Sequence, residues 1–281
     1  MNSPLRLLAA VSVVCVICGL AAPQSTGAPE AASPTGKKFY ARADEKGEIA
    51  EAEKKLAAAP TNIELLMALA RAQAAAWRYR DAISTYTAAI KLDPKNAILY
   101  RHRGHRYITT RQFDKAVEDL ERASKLDDGS YDIWYHLGLA YYLKGKFEKA
   151  AAAYERCRLH AEGEDALVAV SDWLYMSYRR MKDDFEAEGV LSRIKLGMRV
   201  EENKAYYDRL LFYKGLKRES EVFSDKLTDL EAATVGYGLG NWHLCNGEPA
   251  RARDYFQRVV SGPYWPAFGF IAAETDLARL K

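Results

Sequence analysis

Apolar side chains along this chain recur three and four residues apart, the spacing of one helix face, and no alternation of period two runs to useful length. The helical pattern itself repeats. Leu66, Tyr100 and Trp134 stand one 34-residue step apart; the small residues Ala70, Gly104 and Gly138 follow each by four, and Gln73, Tyr107 and Tyr141 by three more. A second stripe moves with the first: Tyr79, Phe113 and Phe147, then Ala82, Ala116 and Ala150, then Tyr86, Leu120 and Tyr154. Each unit thus predicts two antiparallel helices, with small residues where the pair approaches closely and large ones filling the space between successive pairs. Asp93-Pro94 and Asp128-Gly129 suit the ends of second helices, and Asn246-Gly247 reads as another inter-helix turn.

The third unit, Trp134-Leu137-Gly138-Tyr141 with Ala150 and Tyr154, resembles the tetratricopeptide repeat pattern W-x2-L-G-x2-Y followed by A-x3-F. Gly240, Gly247, Ala252 and Phe256 lie three further periods beyond Gly138, Gly145, Ala150 and Tyr154, so the phase returns near the C-terminus. The resemblance implies an all-α, right-handed helical-hairpin solenoid of about six repeats with terminal capping helices. Clear repeats fall at 63–96, 97–130 and 131–164, and degenerate ones at about 168–198, 204–228 and 233–264. Within the solenoid at 44–281, an opening helix is expected over 44–58 and a C-terminal capping helix over 265–281. Gly104-His105-Arg106-Tyr107 and the segment from Tyr237 to Trp242 look like stretches of uncharacterised exported bacterial members of this family.

The N-terminus lacks the period. Residues 1–22 read as an export signal, with Arg6 ahead of an apolar run from Leu7 to Ala22 and a small-residue cleavage site after Ala21. An uncleaved anchor stays open as the alternative, although the run is shorter than the roughly 20 residues of a bilayer span. Val14 and Ile17 before Cys15 and Cys18 disfavour lipidation. Residues 23–43, rich in Pro, Ala, Ser, Thr and Gly, predict a flexible linker. Export points to the periplasm or cell envelope, with no stable membrane span expected after cleavage. Cys157 and Cys245 then remain, too few for a disulfide scaffold, and both are expected to be unpaired. Lys and Arg number 41 against 38 Asp and Glu, a net +3 too small to imply a nucleic-acid partner.

The densest basic segment, Arg101 to Tyr107, falls on the first helix of the second repeat. By the family's geometry such helices line the concave groove, which makes Met67, Arg71, Arg101, His105, Tyr135, Leu139 and Tyr142 the candidate protein- or peptide-binding residues. A basic and aromatic groove suits a peptide with acidic and apolar side chains. The family's capture of C-terminal carboxylates by Lys, Asn and Arg is not matched here, where Met67, Arg71, His102, Asp132 and His136 occupy the face. Two rivals stand beside this scaffold or assembly factor. One is an envelope glycan- or peptidoglycan-binding protein using Tyr135, Tyr142 and Trp173; the other is a metalloenzyme built on His102, His105 and His136 with Asp132. Ser171 and Cys157 lack a visible base, and Asp183-Asp184 and Glu201-Glu202 lie near predicted turns, so no catalytic role and no cofactor are assigned. Gly236, Gly238 and Gly240 mimic a phosphate loop but have no preceding strand, and a packing reason is expected for them.

Overall fold

The computed structural model describes residues 27–280; the expected export signal at 1–22 lies outside the described residues. Two short strands, β1 (Ala31–Ala32) and β2 (Lys38–Phe39), pair antiparallel. Everything after them is helical: α1 (Glu48–Ala58), α2 (Ile63–Ala75), α3 (Tyr79–Leu92), α4 (Ala97–Thr109), α5 (Phe113–Leu126), α6 (Tyr131–Leu143), α7 (Phe147–Leu159), α8 (Gly163–Met181), α9 (Asp184–Ser192), α10 (Lys204–Tyr213), α11 (Glu219–Val222), α12 (Asp229–Cys245), α13 (Pro249–Ser261) and α14 (Phe268–Arg279). The fold is all α, a repeat solenoid in which each helix packs on the next from α1 to α9 and again from α12 to α14, while α10 bridges α8 and α12.

Local chemistry sets the ends of these helices. Asn62 and Asn96, one period apart, each turn a side-chain oxygen onto the first turn of α2 and α4, accepting from Leu65 N at 3.1 Å and Ile98 N at 3.2 Å. Asp44 does the same for α1, which begins at Glu48, four residues later than expected. Thr228 and Glu231 form a reciprocal capping box at α12, and Pro249 opens α13 where no amide partner is needed. The connections after α2, α4, α6 and α12 hold left-handed residues at equivalent places: Trp77 and Arg111, then Gly145 and Gly247.

Inside each hairpin the small residues do what the spacing implies. A Cβ on Gly104 would stand 2.7 Å from Leu120, one on Gly138 2.7 Å from Tyr154, and one on Gly240 2.5 Å from Phe256. Ala82, Ala116, Ala150 and Ala252 are wholly buried beside them. Gly236 and Gly238 lie within α12, where a Cβ would meet Val259 and Arg209; their role is close packing, not phosphate binding.

Two expectations are corrected. The flexible linker over 23–43 is, from residue 27 on, packed structure: Phe39 and Ala31 are buried, and Arg42 N donates to Ala76 O at 2.9 Å. Aromatic burial outweighs the entropy of a sequence poor in other apolar groups. The helix expected to cap the C-terminal end over 265–281 instead turns inward as α14, whose residues from Gly269 to Asp276 are all buried. A helix buried on every side cannot serve as a solvated cap.

Candidate functional site

The candidate residues fall on α2, α4 and α6, the first helices of three successive hairpins, and the structure separates them into two groups. On the N-terminal side Arg71 is exposed, Met67 is buried beside it, and Arg101 and His105 are partly buried. Arg101 reaches Asp132 of α6 at 2.7 Å and the His102 ring at 3.0 Å. On the other side Tyr135, Leu139 and Tyr142 are all buried, because α6 is surrounded by the chain itself. The Tyr142 ring meets Trp173 of α8 and Tyr237 of α12, its hydroxyl donating to Asn241 at 3.0 Å. The expectation that these three line an open groove is therefore corrected: the solenoid curls until its later helices occupy its own concave side. Trp173 is equally buried, so neither it nor Tyr142 offers a face to a glycan.

The closure is built from three places one period apart. Trp77, in the turn after α2, packs edge-on against Tyr264 and Trp265 ahead of α14. Arg111, in the turn after α4, forms a buried ion pair with Glu274 of α14 at 2.7 Å and donates to Trp265 O at 3.0 Å. At Gly145, after α6, a Cβ would stand 3.2 Å from the Arg279 guanidinium. The C-terminal segment thus runs across the turns of three repeats, and Phe268 packs against both His105 and His136 at 5.2 and 5.9 Å. The N-terminal hairpin straps both ends together. Phe39 stacks on Trp265 at 5.1 Å and meets Phe270 edge-on, the Arg42 guanidinium lies 3.4 Å from the centre of the Trp77 ring, and Lys37 donates to Val260 O at 3.1 Å.

Burial governs the electrostatics of the interior. His105 and His136, rings 4.5 Å apart, are held well below the ordinary histidine range by desolvation, with neighbouring arginines adding to the effect. His136 Nδ1 lies 2.7 Å from Asp132 O, and a neutral ring donates there. His102, stacked on Tyr86, is pushed down to about 3 by burial and then by Arg101, Arg106 and Arg71. Arg106 lies over the Tyr79 ring at 5.4 Å, and burial lowers its pKa. Among the described residues no group of three His, Cys, Asp or Glu side chains is placed to hold a metal ion. Ser171 is wholly buried, with no hydrogen-bond partner for its hydroxyl among the described residues. Burial raises the Cys157 thiol, and both it and Cys245 are free. Asp183 caps α9, Asp184 pairs with Arg179 at 3.0 Å, and the amides of Glu201 and Glu202 donate to Asp165.

Two polar centres escaped the sequence reading. Arg209 of α10 and Asp172 of α8 form a wholly buried ion pair beneath Gly238. Asp276 of α14 accepts from Arg180 at 2.8 Å, Arg279 at 3.0 Å and Tyr237 at 3.0 Å. The one signal was Glu274 and Asp276 inside an otherwise apolar helix, since buried carboxylates require cations.

Residues 103–164 match the family model for the tetratricopeptide repeat. A tetratricopeptide repeat protein from Parabacteroides merdae ATCC 43184 is 20% identical over 78% of this chain and 89% of its own, with a TM-score of 0.55, a likeness of fold. MamA protein is 26% identical over 52% of this chain and 79% of its own, at 0.47. YrrB, described as a TPR protein with an unusual peptide-binding site, is 13% identical over 75% and 91%, at 0.46. With the register shared by α2 to α7 and by α12 and α13, the match identifies tetratricopeptide repeats within this chain, whose fold is that of a tetratricopeptide repeat solenoid.

Proposed function

We propose that the chain is a non-enzymatic scaffold or assembly factor of the bacterial cell envelope that holds a protein or peptide partner at the exposed edge of α2 and α4, beside Arg71. Repeats of this family serve as protein- and peptide-binding scaffolds. The observation that carries the reading is the unequal fate of the candidate residues. Tyr135, Leu139 and Tyr142 are covered, whereas Arg71 is exposed, and Arg101 beside it faces Asp132, whose side chain is mostly exposed. Arg71 has no acidic partner among the described residues, and an acidic segment supplies the missing carboxylate. The export pattern at 1–22 supports the envelope location, and among the described residues no helix is long and apolar enough to cross a membrane.

A photo-crosslinker placed at Arg71 in intact cells, followed by fractionation and mass spectrometry, tests this. One recurrent envelope protein is expected, its capture lost on Arg101→Glu. Capture of nothing above background, or recovery of the chain wholly in the cytoplasm, would overturn the reading.

A further inference from the structure

The outer face of the stack holds a groove of about 570 Å³ between α5 and α7, floored by Trp134, Leu137 and Tyr141 of α6. One repeat earlier the equivalent notch is filled. There Arg103 of α4 donates to both carboxylate oxygens of Asp119 at 2.7 Å and to Thr87 at 3.0 Å, its guanidinium 5.8 and 5.7 Å from the Tyr100 and Tyr107 rings. One 34-residue step puts Leu137 where Arg103 stands and Ala153 where Asp119 stands, while the aromatic pair is kept as Trp134 and Tyr141. Replacing a long ion pair by a leucine and an alanine empties the notch and leaves apolar ring faces at its floor.

The rim is basic. Lys125 and Lys149 are exposed and have no acidic partner among the described residues. The Lys149 ammonium lies 5.4 Å from the Tyr141 ring centre, the Arg156 guanidinium 5.6 Å from that of Trp134, and the nearest carboxylate to Arg156, on Asp128, is 3.8 Å away. Glu121, the one carboxylate in the lining, accepts the Tyr141 hydroxyl. An apolar floor under two unpaired lysines and a loosely paired arginine matches one chemistry: a short segment with leucine or aromatic side chains on one face and carboxylates flanking them.

We propose that this outer groove docks an acidic amphipathic segment of a partner protein, its apolar side chains between Trp134 and Tyr141 and its carboxylates on Lys125, Lys149 and Arg156. The proposal rests on the reading of the chain as a scaffold but uses the groove between α5 and α7 rather than the edge at Arg71, so the two can fail separately.

The probe is a synthetic peptide of about twelve residues, with Leu and Phe at i, i+4 spacing and Glu between them, titrated onto the full chain by calorimetry. A counterpart with Lys in place of Glu is the control. The acidic peptide is expected to bind at least tenfold tighter than the control and to weaken as salt rises. Leu137→Arg with Ala153→Asp installs the neighbouring repeat's own ion pair, and is expected to abolish binding while circular dichroism stays unchanged. Should that variant misfold, Lys149→Glu with Arg156→Glu, both at exposed positions, carries the test, with a loss of tenfold or more expected. No binding of the acidic peptide, equal binding of the two peptides, or undiminished binding by a folded groove variant overturns the proposal. Cellular capture at Arg71 that persists in the groove variants would leave the scaffold reading standing alone.

Discussion

Arg209 is the least dispensable charge in the molecule, because it sits with Asp172 at zero exposure and also donates to Thr234 O. Arg209→Met would strand a buried carboxylate, at a cost of about 3–5 kcal/mol, whereas Arg209→Met with Asp172→Leu should recover most of it. Urea denaturation of the unaltered chain and the two variants measures the difference. Gly138→Leu should also cost several kcal/mol, about 2 or more from overpacking alone, since even a Cβ there meets the Tyr154 ring at 2.7 Å. Histidine sets the acid limit. Folding lowers the pKa of His105 and His136, so the unfolded chain binds more protons once pH falls below about 6.5, and stability present above that value drains away toward acid. The slope should reach up to about 1.4 kcal/mol per pH unit for each ring, and His105→Gln with His136→Gln should reduce it in melts between about pH 7 and 5, with His102 keeping its own share. The tight glycines were legible because their positions recur with the period. Arg209 was not, since a lone arginine on a helix ordinarily marks a solvated face.

At the scale of elements, the hairpins from α2 to α7 were readable because each is specified by its own stripe and small residues. The closure was not. It joins the turns after α2, α4 and α6 to residues near Trp265, and no local spacing encodes a contact between segments so distant in sequence. The unbroken apolar run from Phe268 to Ala273 in α14 was the available clue, and Phe39 inside a proline- and alanine-rich stretch was another. The candidate site was legible as a set of helices and misread as an open surface, since accessibility depends on how far the superhelix curls. Phe39→Ala removes the ring stacked on Trp265 and should cost about 3 kcal/mol. Limited proteolysis should then cut between residues 27 and 47 while α2 to α7 stay protected.

For the whole molecule, an open solenoid loses its end repeats one at a time, because each touches its neighbours alone. Here both ends are strapped together, so fraying one exposes the other. Calorimetry should give a single transition with equal van't Hoff and calorimetric enthalpies, and deleting residues 268–281 should split it and broaden it. The strap also fixes an order of events. Translation delivers Phe39 long before its stacking partner Trp265, so in the interval the nascent chain carries bare aromatic surface that nothing of its own can yet cover. A holding chaperone is the natural guest of that interval.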